Sequence, residues 1–164
     1  KKGDKFELTF PNAKYWSNQK HWEWALKPNS REKASFLHEN MLPIEELGHL
    51  NFIKHGDELG NNIELLLVDG HTEQQMIPIV SYKGRKVAFC ADLIPSVGHL
   101  KIPYIPSYDV RPLVTMKEKS FFLEKAVREN YILFFEHDAY NECCTVKSSD
   151  KGKRVGAKFS LSDL

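Results

Sequence analysis

Glu64-Leu65-Leu66-Leu67-Val68-Asp69-Gly70-His71 is the stretch on which the fold turns. Its apolar run, with Glu64 the one polar residue inside, reads as a strand over Asn62–Val68 that leaves the core through Asp69-Gly70 into a histidine. Two other stretches end in the same way. Val87-Ala88-Phe89-Cys90-Ala91 runs into Asp92, and Ile132-Leu133-Phe134-Phe135-Glu136 runs into His137. A buried strand that stops at His or Asp delivers that side chain to the rim of the sheet, and rigid strand ends are good places to hold metal ligands or acid–base groups. If the three ends lie at one edge, two imidazoles and a carboxylate converge, a donor set suited to zinc or a similar divalent ion. The competing reading is that each polar residue marks only the point where the chain leaves the core. Three such ends in one chain weaken that reading, although spacing alone does not make a site.

Around these strands the pattern is a mixture of hairpins and helices. Met76–Tyr82 alternates, Lys83-Gly84-Arg85 reads as a hairpin turn, and Lys86–Ala91 as the return strand. Ile94 to Pro112 is a long loop rich in Pro and Gly, of a length that is usually functional or poorly ordered. Thr115, with Glu118 three residues on, reads as a capping box that starts a helix running to Asn130. Cys143–Lys147 and Arg154–Phe159 are candidate strands at the far end. Upstream, the aromatic-dense stretch Phe6–Leu26 suggests a strand at Ala13–Ser17 and a helix at Asn18–Leu26 capped by Ser17 or Asn18. Ala34, Leu37 and Met41 share one face of a predicted helix over Arg31–Met41, and a strand is expected at His49–Ile53. The sum is a mixed α/β (α+β) sandwich.

Composition narrows the function classes. The chain has 164 residues, 41% of them apolar and 27% charged, which excludes whole-chain disorder and fits a single domain. No apolar run approaches the roughly 18 residues of a membrane span. With 23 Lys and Arg against 22 Asp and Glu, the net charge of +1 gives no reason to expect a nucleic-acid or membrane partner. Three cysteines, two of them adjacent (Cys143-Cys144), make a poor disulfide framework and favour a reducing, cytoplasmic compartment. A small-molecule substrate is the remaining partner class, and the aromatic N-terminal stretch is a candidate homodimer interface. The opening Lys1-Lys2-Gly3-Asp4-Lys5 has no Met and reads as the middle of a loop, so the expectation is the latter part of a longer polypeptide.

Gly70-His71-Thr72, Ala91-Asp92-Leu93 with Asp92 21 residues after His71, and Glu136-His137-Asp138 with His137 45 residues after Asp92 together resemble the latter half of the metallo-β-lactamase-fold hydrolases, in their lactonase and organophosphate-hydrolase-like branch. Phe10-Pro11-Asn12-Ala13 also resembles the segment after that family's first metal motif. The resemblance runs from about Phe10 to Lys147. It implies the C-terminal portion of an αββα four-layer sandwich. It also implies two divalent metal ions, zinc foremost, and a metal-bridging hydroxide that cleaves an ester-like, lactone or phosphoester bond. Under it His71 completes the ligand set of one metal, Asp92 bridges both and is the catalytic carboxylate, and His137 binds the second.

Two departures qualify the match. The family's leading His-x-His-x-Asp-His motif is not in this sequence, and His21, His38, His49 and His55 lie too far apart to replace it. The remaining ligands are therefore expected upstream, in an N-terminal part of the same domain. Some lactonases of this fold carry a Tyr soon after the bridging Asp. Here Leu93, Ile94, Pro95, Ser96, Val97, Gly98 and His99 follow, which argues against a lactone in particular and makes His99 a candidate substrate contact. Two rivals follow from the same residues: a di-iron redox member of the fold, and a non-catalytic binding module in which the strand ends only hydrogen-bond. Glu136 and Asp138 flank His137 as candidates to orient a ligand. The three tryptophans and the two adjacent cysteines read more simply as core.

Overall fold

A computed structural model describes residues 6–53 and 59–164. The loop reading of Lys1–Lys5 and the candidate His55 lie outside them. The chain forms two compact units, 1–57 and 58–164.

In the first unit, β1 (Tyr15–Ser17) leads into α1 (Gln19–Leu26), followed by α2 (His38–Glu46) and β2 (Leu50–Phe52), and β1 pairs with β2 in parallel. Asn18 caps α1 by accepting the His21 N–H at 2.9 Å. Trp22 is buried with its ring edge toward Phe52, Trp24 donates its indole N–H to Glu32 at 2.9 Å, and Trp16 stays partly exposed. The helix expected at Arg31–Met41 is displaced. Residues 31–35 form turns, and the helix begins at His38 and contains Pro43. Leu37, expected on its apolar face, is exposed and precedes it.

The second unit is a six-stranded sheet in the order β3 (Ile63–Val68), β4 (Gln75–Tyr82), β5 (Arg85–Phe89), β6 (Ile132–Phe134), β7 (Cys143–Ser149), β8 (Gly152–Phe159). Strand β4 is antiparallel to both β3 and β5, and β5 is parallel to β6. Hence β3, β5 and β6 all run the same way, and their carboxyl ends share one edge. The β4–β5 turn uses Lys83 and Gly84 at φ +48° and +74°, the mirror-image turn that matches strand twist. Because β3 is the first strand of the sheet, its apolar run is not fully covered, and Leu67 is 41% exposed.

One helix, α3 (Pro112–Arg128), packs against the sheet. Its buried residues Thr115, Lys119, Phe122, Leu123 and Ala126 recur at helical spacing, and Phe122, Leu123 and Ala126 share one core cluster with Val68, Ile77, Ile79, Ala88 and Leu133. Each fully buried Phe or Leu in that layer contributes about 1.5–3 kcal/mol. The helix starts earlier than expected, with Pro112 in its first turn, and Thr115 lies inside it rather than capping it. It ends in a Schellman turn. Asn130 takes φ +53°, and the Tyr131 N–H reaches the Ala126 carbonyl at 2.8 Å. Cys90, Cys143 and Cys144 are free and buried, and burial raises the thiols of Cys143 and Cys144 to about 11 and about 12.

Candidate metal centre

The shared edge brings the predicted ligands together. His71 Nε2 lies 3.5 Å from Asp92 Oδ2, and His137 Nε2 lies 3.3 Å from Asp92 Oδ1. One imidazole thus faces each oxygen of a single carboxylate. These separations exceed a good N–H···O hydrogen bond of about 2.7–3.2 Å. They match the spacing of two ligands on one tetrahedral ion, since bonds of about 2.0–2.2 Å put neighbouring donors roughly 3.4 Å apart. The donor set, imidazole nitrogen and carboxylate oxygen, is that of zinc and related divalent ions. The residues present fit a divalent cation.

The positions of these side chains have local causes. Asp92 follows Ala91, whose φ of +41° is unfavourable for a residue with a side chain and turns the chain sharply off β5 into a short 3-10 turn over Ala91–Leu93. His71 is held from behind. Its Nδ1 lies 2.9 Å from Asp109 Oδ1, and the other Asp109 oxygen accepts the buried Thr115 hydroxyl. A carboxylate only accepts, so Nδ1 carries a proton toward Asp109, and Nε2 is the ring atom turned to Asp92. The turn before His71 is clamped by α3. Glu118 accepts the N–H groups of Asp69 and Gly70 at 2.7 and 3.0 Å, and the Arg111 N–H donates to the Gly70 carbonyl at 2.8 Å. Glu118 therefore binds another segment instead of closing a capping box. Gly70 is required here by proximity, because a Cβ would sit 2.5 Å from the Thr115 backbone nitrogen.

Near His137, the chain leaves β6 in a bend at residues 136 and 137. The His137 N–H donates to the Pro95 carbonyl at 3.1 Å. Asp138 accepts the N–H of Val97 at 3.0 Å and those of Tyr140 and Asn141. Its partial burial favours the neutral acid, but these bonds outweigh that and hold its pKa below the ordinary value. Asp138 thus ties the His137 bend to the loop after Asp92. Glu136 turns toward the site, and one ligand atom each of Asp92, Glu136 and His137 lie within 4.8 Å of one another.

His99 is not linked by hydrogen bond or ion pair to the three candidate ligands among the described residues; its Nδ1 lies 2.8 Å from Ser96 Oγ. Burial and then the Lys119 charge lower its pKa, against an opposing pull from Asp109. Lys119 is fully buried and donates to the carbonyls of Lys101, Ile102 and Tyr104, so it pins the long loop against α3. Burial lowers its pKa to about 8. Gln75 opens β4 at the same edge, donates to Asp92 Oδ2 at 3.3 Å and leaves its buried carbonyl oxygen without a partner among the described residues. Asp109, Thr115 and Gln75 adjoin these residues without being marked by the sequence pattern, whereas Glu136, a candidate from the sequence to orient a ligand, turns toward Asp92 and His137.

Neither a protein-family model nor a curated protein sequence matches this chain. Solved structures do. A probable metal-dependent hydrolase from Staphylococcus aureus superposes with a TM-score of 0.80 at 24% identity, covering 94% of this chain and 55% of that one. The fold is that of the metallo-β-lactamase superfamily. AidC, a dizinc quorum-quenching lactonase solved with a product, superposes at a TM-score of 0.74 and 18% identity over 94% of this chain and 58% of its own. The hydrolase AbOPH of the β-lactamase superfamily gives 0.74 and 17% over 89% and 55%. At these identities the likeness establishes the fold, and the chain spans a little over half the length of each neighbour. The α+β architecture expected for this fold is the one observed.

Proposed function

We propose that this chain is the C-terminal, cation-holding portion of a single metallo-β-lactamase-fold domain, and that the whole domain is a dinuclear-metal hydrolase acting on an ester-like, lactone or phosphoester bond of a small molecule. The observation that carries the reading is the pair of imidazoles on opposite oxygens of Asp92, at 3.5 and 3.3 Å. His71 and Asp92 would hold one divalent ion, and Asp92 and His137 the other, with zinc the leading identity. Such a pair supplies Lewis-acid polarisation of the scissile carbonyl or phosphoryl oxygen and activation of water near neutral pH.

The chain's own groups do the positioning. Asp109 keeps the His71 proton on Nδ1, away from the ligand atom. Asp138 holds the bend that presents His137. His99, with Nδ1 engaged by Ser96, keeps Nε2 as the atom with which to contact a substrate or hold a proton. The neighbours named as metal-dependent hydrolase, lactonase and β-lactamase-superfamily hydrolase support the reaction class. Three buried free thiols support the reducing, cytoplasmic compartment.

The test is zinc stoichiometry and hydrolysis on the natural-length protein, with Asp92→Ala alongside. We expect about two zinc ions per chain and turnover of an ester, lactone or phosphoester panel, both lost in the variant. Retention of two tightly held ions by Asp92→Ala would remove the bridging role. A natural-length protein that binds no metal would hand the fold to the binding-module reading.

A further inference from the structure

The two sides of Asp92 are chemically unequal. On the Oδ2 side stand His71, whose Nδ1 is held by Asp109, and the Gln75 amide nitrogen, which donates to Oδ2. On the Oδ1 side stands His137, with the Glu136 carboxylate close to both His137 and Asp92 and without a hydrogen-bond or ion-pair partner among the described residues. Consecutive residues of a strand point to opposite faces, so Glu136 and His137 would diverge if β6 continued. It ends at Phe134. The bend at 136 and 137, fixed by the His137 N–H on Pro95 and by Asp138 on Val97, turns both side chains toward Asp92. One ligand atom from each of Asp92, Glu136 and His137 then falls within 4.8 Å of the others. Donors sharing one ion lie up to about twice a bond length apart, roughly 4.2–4.4 Å, so the cluster is a small side-chain rotation from closing on a cation.

We propose that Glu136 is a protein ligand of the cation on the His137 side, so that Asp92, Glu136 and His137 alone hold one divalent ion through two carboxylates and one imidazole. This rests on the metal-site reading above and goes beyond it. Two carboxylates make this position harder than the His71 side, and oxygen-rich sets favour ions such as Mn2+ that take more than four ligands. The two positions would therefore differ in metal preference, the His137 side accepting Mn2+ while the His71 side favours zinc.

The experiment is a MnCl2 titration of this chain followed by Mn2+ electron paramagnetic resonance, which counts free ion without relying on activity. The expected result is one Mn2+ per chain, with affinity lowered about tenfold or more in Glu136→Gln and partly restored in Glu136→Asp. Glu136 is exposed, so both variants should melt like the parent. Unchanged Mn2+ affinity in Glu136→Gln, together with its loss in Asp92→Ala, would overturn the role of Glu136 and leave the metal-site reading standing. No binding of Mn2+ by the parent chain would overturn this proposal, and zinc stoichiometry on the natural-length protein would then judge the broader reading separately.

Discussion

The same three strands carry opposite charges at both of their ends, and the two ends are built differently. At the amino ends, Lys86 on β5 bonds Glu64 of β3 at 3.2 Å and Glu129 at 2.8 Å, Lys125 pairs with Glu64, and the Tyr131 hydroxyl, just before β6, donates to Glu129 at 3.1 Å. Each charge there has an opposite charge at bonding distance, carried on long side chains that are partly in water. At the carboxyl ends, His71 and His137 stand 3.5 and 3.3 Å from Asp92, short of a good bond to it. Yet the backbone and partners behind them are fixed by Asp109, Thr115, Glu118 and Asp138. A cluster that neutralises itself is structural. One whose members are held from behind at ligand–ligand spacing is what the proposed cation site would require.

This contrast predicts where the fold is sensitive, and the largest effect belongs at the carboxyl end. Gly70→Ala would place a Cβ 2.2 Å from Thr115 Oγ1 and 2.5–2.6 Å from its backbone nitrogen and Cα. Because backbone cannot swing aside, the overpacking cost should reach about 3 kcal/mol, a fall of roughly 6–12 °C in melting temperature. Thermal melts of parent and variant check it. A loss near zero would mean that the turn before His71 is soft, and the claimed difference in rigidity between the two ends would go with it.

An intermediate effect is expected at Asp109. Asn in its place can offer an N–H to His71, which would move the imidazole proton to Nε2 and block the atom that faces Asp92. Asp109→Asn should therefore lower zinc affinity about 10–100-fold, with a loss of about 1–3 kcal/mol from the disturbed bond to Thr115. Isothermal titration with ZnCl2 separates the two effects. Affinity that is unchanged while stability falls would make Asp109 a fold residue only.

The reading of these ends from sequence was uneven for physical reasons. His71, Asp92 and His137 were legible because each follows a run of apolar residues, and a strand delivers its terminal residue to a rim whatever the rest of the chain does. That the rims coincide depends on β3, β5 and β6 running the same way, which no local pattern contains. Asp109 was not legible. It contacts His71 across 38 residues from a loop without periodicity, and the only nearby signal was Pro112 in the first turn of a helix. Thr115 and Glu118 misled as a capping box because their spacing is that of a cap, while tertiary contacts to Asp109, Asp69 and Gly70 use both side chains. The early helix failed for a related reason: Ala34, Leu37 and Met41 have helical spacing, but residues 31–35 are turns held by Asn29 and Glu32.

The smallest effect is expected at the amino ends, and there it should depend on pH. The Lys86 ammonium, and with it the Tyr131 and Arg128 donors, hold Glu129 far below the ordinary carboxylate value, at about 2, against a weaker opposing effect of desolvation. A carboxyl whose pKa is lowered by folding stabilises the fold above its unfolded value near 4.5 and loses that contribution as pH falls from there toward 2. Glu129 faces water and its pairs are screened, so Glu129→Gln should cost only a small drop in melting temperature at pH 7. The variant and the parent should converge as pH falls from about 4.5 toward 2, and salt should narrow the gap at pH 7. A pH-independent gap would mean that Glu129 acts through packing. A large gap at pH 7 would make the paired end as sensitive as the ligand end, and the contrast between them would fail.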